Sequence, residues 1–369
     1  MKPVWHFLNS DSGGVARYVE RLVAAQVDRG QFPLRVAGSP NLTLPAEVRR
    51  DGYSPWRSIW GLNQWRFAIY AGWLARSARS PVIVHAHNVL LAAPDVFTAH
   101  GLYSEYTRRA AERSDRARTP TQELQSRALS ALEQRCLRLA RHVVFVSSEN
   151  RAFVEEALAL RRPGHFHVIA PGVDTARYTP GLRADLAAHR QRLFPEVDGD
   201  RRWLLFVGHD FVGKGLVRLL RALGARPAAD WALLAFGRDP AGAAPVRALA
   251  AAMPGRVHIF DDDERLPAAY GLSDCLVLDS TAEGYPLVLL EAMAAGCVPV
   301  VTRFGGAATA IADGADGFIV DSAAEVAERA LTVAADRLQI MAAQAVRTAS
   351  GRTWGHVAAA YADLYQELA

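Results

Sequence analysis

Twice along this chain, short apolar runs alternate with longer amphipathic segments, and that alternation leaves few folds open. The first series has VWHFL at Val4–Leu8, helical spacing over Val15–Arg29, then runs at Val82–His85, Val96–His100, Val143–Ser147 and His167–Ala170. The second opens with LLFVG at Leu204–Gly208 and a helix from Leu216. It continues through Ala232–Gly237, Val257–Phe260, Cys275–Leu278, Val298–Thr302 and Phe318–Val320. Strands alternating with helices predict an α/β fold with a parallel, doubly wound sheet. Run twice, the pattern predicts two Rossmann-like domains facing across a cleft, with ligands beyond the carboxyl ends of the strands. A chain of 369 residues suits two domains, at about 150 residues each. The pattern is weakest between Asp174 and Arg202, which holds Pro180, Pro195 and a DGDRR run. The domain boundary is therefore expected near residue 180. The Trp-rich stretch Trp56–Trp65 fits neither strand nor helix well.

The charge balance narrows the partners. Net charge is +4 and the pI about 9.1, a mild basic bias that suits phosphate-bearing substrates or an anionic surface. No Lys/Arg-rich block interleaved with aromatics points to nucleic acid. Cys136, Cys275 and Cys297 have no metal-ligand spacing, and an odd number of cysteines is most simply read as a reducing compartment. No signal segment precedes the first apolar run, and no run approaches the ~20 apolar residues of a membrane span. The expectation is a cytoplasmic protein. Glu105–His142 is mainly helical and carries nine arginines against five acidic residues. Such a stretch is either a solvated helix surface with i,i+4 pairs or a face for the inner surface of the plasma membrane.

Three strand ends carry glycine: Ser10–Gly14 (SDSGG), Gly208–Gly215 (GHDFVGKG) and Thr302–Gly306 (TRFGG). Glycine admits a ligand close to backbone N–H groups, and a following helix N-terminus favours an anion. One such loop is an ordinary tight turn; three of them favour phosphate binding. Lys214 stands out, because only Lys2 and Lys214 among the 42 basic residues are lysine. Set between two glycines at the mouth of a helix, it is a mobile point charge suited to a diphosphate.

EGYPLVLLE at Glu283–Glu291 places one carboxylate ahead of a helix and one inside it. Pro286 suits the first turn, and Gly296 a stop after Ala295. The free N–H groups over Gly284–Val288 can meet an anion. The helix is apolar nearly all round, so Glu291 needs a partner, either a ligand hydroxyl or a neighbouring arginine.

Together these segments resemble the retaining GT-B glycosyltransferases of family 4 type over nearly the whole chain. EGYPLVLLE resembles their E-x7-E motif, SGG their N-terminal glycine loop, FTAHG at Phe97–Gly101 their central histidine segment, and VGHDFVGKG their donor-phosphate motif. VVFVSSENR at Val143–Arg151 and VIAPGVDTARYTP at Val168–Pro180 resemble the end of their first domain. TWGHVAAAYADLYQEL at Thr353–Leu368 resembles their C-terminal helix, which returns to the first domain. The implied organisation is 1–180, 181–350 and a returning helix in 351–369. The resemblance implies that Glu291 binds the ribose, Glu283 and His100 meet the donor sugar, and Lys214 neutralises the diphosphate. It also implies that Gly13, Gly14, Leu287 and Val288 offer backbone N–H groups to phosphate, with Gly208 and His209 in the donor-phosphate loop.

Two positions depart from the pattern. His209 stands where the family usually has arginine, which leaves the phosphate to Lys214 or to a borrowed Arg238 or Arg303. Pro171 replaces the common asparagine before GVD. The D-F-x-x-K-G form is closest to the lipopolysaccharide-core α-glucosyltransferase branch, which favours a UDP-sugar. The expected reaction moves a hexose, with retention, to a glycan or lipid-linked acceptor. No cofactor or metal is expected; the DDD run at 261–263 reads as a turn. The rivals are a catalytically inactive subunit that stabilises an active transferase, a sugar 2-epimerase of the same fold, and a dinucleotide oxidoreductase. The oxidoreductase needs a G-x-G-x-x-G that SDSGGVARYVE lacks.

Overall fold

All five residues of the first apolar run, Val4–Leu8, are buried, because a parallel strand covered by helices on both faces has no solvent side. A computed structural model describes residues 1–10, 13–53, 60–91, 93–113, 119–197, 201–240 and 242–369. The chain divides into two units. Unit 1 comprises Met1–Gly172, Glu283–Tyr285 and Trp354–Ala369; unit 2 comprises Val173–Ala282 and Pro286–Thr353.

Unit 1 runs β1 (Val4–Leu8), α1 (Gly13–Arg29), β2 (Leu34–Gly38), β3 (Arg49–Gly52), α2 (Trp60–Arg76), β4 (Ile83–His87), β5 (Val96–Ala99), α3 (Tyr103–Arg113), α4 (Pro120–Leu139), β6 (His142–Phe145), α5 (Ser148–Glu156) and β7 (Phe166–Val168). Its seven-stranded sheet has the order β3-β2-β1-β4-β5-β6-β7, with every pair parallel. The order reverses beside β1, so the switch point of the sheet lies between β1 and β4. Phe7, Phe67, Phe97 and Phe145 fill the core on one face, each side chain contributing about 1.5–3 kcal/mol by burial.

Unit 2 runs α6 (Leu186–Leu193), β8 (Arg202–Val207), α7 (Leu216–Gly224), β9 (Trp231–Phe236), α8 (Ala243–Ala251), β10 (Val257–Phe260), α9 (Leu266–Leu272), β11 (Cys275–Leu278), α10 (Leu287–Ala294), β12 (Val298–Thr302), α11 (Ala307–Ala310), β13 (Phe318–Val320), α12 (Ala323–Thr332) and α13 (Ala335–Ser350). Its sheet has the order β10-β9-β8-β11-β12-β13, again parallel, with the switch point between β8 and β11. The doubly wound sheet read from the sequence is present in both units.

The last helix, α14 (Trp354–Leu368), belongs to unit 1. Tyr361 Oη lies 3.1 Å from Tyr18 Oη, and Gln26 Nε2 donates to Tyr365 Oη at 3.3 Å. Lys2, the other lysine, donates from Nζ to the Leu368 carbonyl at 2.6 Å, where a cation suits the negative end of a helix.

Two features differ from the sequence reading. The chain passes from unit 1 to unit 2 at Gly172–Val173, before residue 180. Val173 N donates to Arg352 O at 2.8 Å, which fastens the two crossing points together. Pro180 already opens a short 3-10 helix, Pro180–Asp185, whose Arg183 donates to the Ala295 and Ser273 carbonyls of unit 2. Strands β2 and β3 were also not anticipated. RRDG of β3 is mostly exposed and carries no apolar signal; it is a strand because it pairs with β2 and because Asp51 bonds Arg35. In the Trp-rich stretch, residues 54–59 lie outside the described residues, and α2 begins at Trp60.

Candidate functional site

In unit 2 the loop between β8 and α7 is built by its own motif residues. Asp210 turns the chain: its Oδ1 accepts from Gly213 N at 3.0 Å and its carbonyl from Lys214 N at 2.8 Å. Phe211 is buried and anchors the loop, and Asp239 Oδ2 accepts from Phe211 N at 2.9 Å. The stem of Lys214 then lies across Gly208, where an added Cβ would come within 3.1 Å of Lys214 Cγ. Gly215 caps α7 in the left-handed region at φ 80°. A Cβ there would stand 2.2 Å from the Asp279 carbonyl oxygen, so backbone conformation and space both demand glycine. Gly215→Ala is expected to destabilise unit 2 by about 3 kcal/mol. Urea denaturation measures it, and an unchanged midpoint would contradict this account of the loop.

The adjacent strand end supports that loop. Thr281 N donates to Gly213 O at 2.8 Å. Buried Asp279, following β11, forms an ion pair with Arg218 of α7. The Lys214 loop and the Asp279–Thr281 segment thus sit together at the β8/β11 switch point, where open α/β sheets bind ligands. His209 Nδ1 accepts from Arg238 N at 3.1 Å, so the neutral ring carries its proton on Nε2 and remains a donor. The Arg238 guanidinium is turned onto the Asp261 carbonyl, with bonds of 2.9 and 2.7 Å, and is not offered to the loop. Arg303 lies 3.9 Å from the Asp321 carboxylate at an exposed position. After TRFGG, helix α11 is a single turn of four residues, too short to sum much dipole at its N-terminus.

All eight residues of α10, Leu287–Ala294, are buried. Pro286 is its N-cap in extended conformation, one position before the first turn, and Gly296 ends it at φ 74°. Within this apolar helix Glu291 accepts from the Tyr270 hydroxyl at 2.7 Å. Tyr270 packs edge-on against Tyr178, with centroids 5.4 Å apart. Tyr270 was not anticipated; it lies about 20 residues upstream of Glu291, and only the packing of α9 brings it near.

In unit 1, Gly13 opens α1 at φ 80° and nothing lies within 4 Å of a Cβ on Gly13 or Gly14. His100 follows β5. Its N donates to Asn88 Oδ1 at 2.8 Å, and its ring packs edge-on against Tyr18 at 4.5 Å. Glu283–Tyr285 groups with unit 1, and a Cβ on Gly284 would lie 1.6 Å from the His100 carbonyl oxygen. The acidic pair is therefore divided, with Glu283 beside His100 in unit 1 and Glu291 in unit 2.

Behind His100 lies a histidine cluster that the sequence reading missed. His6 Nδ1 and His87 Nε2 are 3.0 Å apart, as are His87 Nδ1 and His100 Nε2. His85 bonds Tyr365 Oη through Nδ1 and Thr98 Oγ1 through Nε2, both at 2.7 Å. Burial lowers the pKa of His6 to about 4 and of His100 to about 3, and pushes His85 and His87 well down as well. All four are neutral at pH 7. Ring nitrogens of His6, His85 and His87 lie within 4.8 Å of one another, a spacing open to a metal. The 3.0 Å His6–His87 separation and the two bonds of His85 read instead as a hydrogen-bonded set. The signal in sequence was slight: the alternation in β4 (IVHAH) puts His85 and His87 on one face.

In the basic stretch, several charges have partners inside the chain. Glu133 is buried and accepts from Tyr103 N and Ser104 N at 2.7 and 3.1 Å, capping α3; burial raises its pKa to about 7. Glu105 meets Arg109 at 2.8 Å and Glu123 meets Arg127 at 2.6 Å, both i,i+4 pairs. Among the described residues no helix is long and apolar enough to cross a membrane.

Two series of parallel strands, each with a glycine-bearing loop at its switch point, define a GT-B glycosyltransferase fold. Residues 12–177 match the family described as Glycosyltransferase Family 4, and residues 201–336 match that described as Glycosyl transferases group 1. Together they cover most of the chain, which belongs to the family 4 type of GT-B glycosyltransferases. A D-inositol 3-phosphate glycosyltransferase of Rhodococcus jostii is 28% identical over 312 residues, covering 80% of this chain and 63% of the relative. The chain thus spans less than two thirds of that relative. Among solved structures, WaaG, a glycosyltransferase involved in lipopolysaccharide biosynthesis, has a TM-score of 0.78 at 20% identity, covering 98% of this chain and 99% of WaaG. Anabaena HepE in complex with UDP-glucose has a TM-score of 0.73 at 18% identity, with both chains fully covered.

Proposed function

We propose that the protein transfers a hexose from a nucleotide-sugar, with a UDP-sugar favoured, to a glycan or lipid-linked acceptor, with retention of configuration. The observation that carries this is the Lys214 loop, held by Asp210 and Gly215 at the β8/β11 switch point. On this reading Lys214, His209 Nε2–H, the Gly208 loop and the N–H groups of Leu287 and Val288 hold the diphosphate. Glu291, oriented by Tyr270, accepts from the ribose hydroxyls. In unit 1, Gly13 and Gly14 offer backbone N–H groups, and His100 and Glu283 meet the donor sugar. The breaking bond leaves its electrons on the diphosphate, whose growing charge these donors stabilise. The acceptor hydroxyl attacks from the same face and its proton passes to the departing phosphate. A covalent sugar adduct trapped on Glu283 or His100 would overturn that route.

Calorimetric titration with UDP, GDP and ADP in the presence of EDTA tests the reading. UDP is expected to bind without a divalent metal. Glu291→Ala is expected to weaken it roughly 10- to 100-fold, the equivalent of one or two hydrogen bonds to a charged group. Binding by none of the three nucleotides would shift the assignment to a non-catalytic partner of an active transferase.

A further inference from the structure

Two hydrogen-bonded chains run inside unit 1, and Gln26 of α1 heads the first of them. One passes through Tyr365 Oη, His85, Thr98 Oγ1 and Tyr361 Oη. The other is the file of imidazoles His6, His87 and His100. In that file each neutral ring has one N–H and one lone pair, so its protons run all one way or all the other. If His6 donates from Nδ1, His87 accepts at Nε2 and donates from Nδ1, and His100 accepts at Nε2. If His6 holds its proton on Nε2, every bond reverses and His100 donates from Nε2 to His87.

The buried end of the file decides between them. His6 Nε2 and Gln26 Oε1 are both buried without a bonded partner, and Gln26 Nε2 is already given to Tyr365. Gln26 therefore has an acceptor oxygen left for His6. Burial lowers the His6 pKa, and Gln26 acts against that shift, as an acceptor facing the ring does. A bare His6 Nε2 would set lone pair against lone pair in a site closed to water, which is the costlier state. At the open end the His100 ring is partly exposed.

We propose that Gln26, His6 and His87 are positioning residues that hold His100 in its Nε2–H form, so that its Nδ1 accepts a hydrogen bond from a hydroxyl of the donor sugar. The role of the sugar rests on the function proposed above; the tautomer does not. His100 then selects a hydroxyl that can donate, and it cannot serve as a proton donor at that atom.

The test is a ¹⁵N–¹H correlation spectrum of the imidazoles in the whole chain at pH 7.5, with His100 assigned by its loss in His100→Asn. The expected signals show Nε2 protonated and Nδ1 bare; a protonated Nδ1 overturns the proposal with no variant required. Gln26→Met removes the acceptor and is expected to leave His100 as a mixture of tautomers. With UDP-glucose as the probe, kcat for its hydrolysis should fall by up to about tenfold, one neutral hydrogen bond's worth, at nearly constant KM. An unchanged tautomer in Gln26→Met overturns the relay. A changed tautomer with unchanged turnover sustains the relay and removes the sugar contact.

Discussion

On the proposed function, Lys214→Ala is expected to lower the release of UDP from UDP-glucose by roughly 100- to 1000-fold in kcat, the range for deleting one preorganised donor from a developing anion. The reason is the scarcity of alternatives. Arg218 is committed to Asp279, and Arg238 to the Asp261 carbonyl. His209 offers a single N–H where a guanidinium would offer several. Because the proposed reaction builds charge on the diphosphate in its transition state, the loss should exceed the loss in UDP affinity. Lys214→Arg should recover only part of the activity, since the stem runs tightly across Gly208 and a planar fork does not replace a compact ammonium there. Wild-type turnover and UDP affinity in Lys214→Ala would refute the assignment of the loop.

The second large effect is acid lability confined to unit 1. His6, His85 and His87 are fully buried, with pKa values pushed below the ordinary value of 6.5 by burial. Above pH 6.5 they are neutral whether the chain is folded or not, and the stability is fully present. As the pH falls below 6.5 the unfolded chain takes up protons that the folded chain refuses, so stability drops until the folded pKa values are reached. Glu133, raised to about 7 by burial, and Glu105, also raised by burial, work in the opposite direction. The balance is about one to two protons, or about 2 kcal/mol per pH unit between pH 6 and 4.5. Set against a total of about 5–15 kcal/mol, that is a large fraction. Hydrogen exchange at pH 7 and pH 5, corrected for intrinsic rates, should show protection lost in β1, β4 and α14 before β8 and β11. Equal loss in both units would remove the histidine cluster as the cause.

The buried strands were legible in the sequence because parallel strands in a covered sheet must be apolar along their length. VWHFL, LLFV, CLVL and VPVVT all fall on strands buried throughout. Helix α10 was legible with its end, since Gly296 marks the stop and an apolar helix has nowhere to go but the core. Lys214 could be singled out because the chain otherwise spends arginine on its surface. The strands and the helix are local signals, carried by residues within one or two turns of one another, and the lysine is a signal of composition.

What tertiary structure decided is what joins residues far apart in the chain. Strand β3 exists through its pairing with β2, since RRDG has no apolar period to announce it. The crossing between the units falls at Gly172–Val173, where Val173 bonds Arg352 from the far end of unit 2. Glu291 found Tyr270, and Gly284 came against the His100 carbonyl. The file from His6 to His100 draws on β1, β4 and the end of β5, three pieces of chain that single-residue patterns cannot relate. Burial can be inferred from the order of side chains along a segment. Hydrogen bonds between segments depend on where the sheet order brings them, and only the folded chain fixes that.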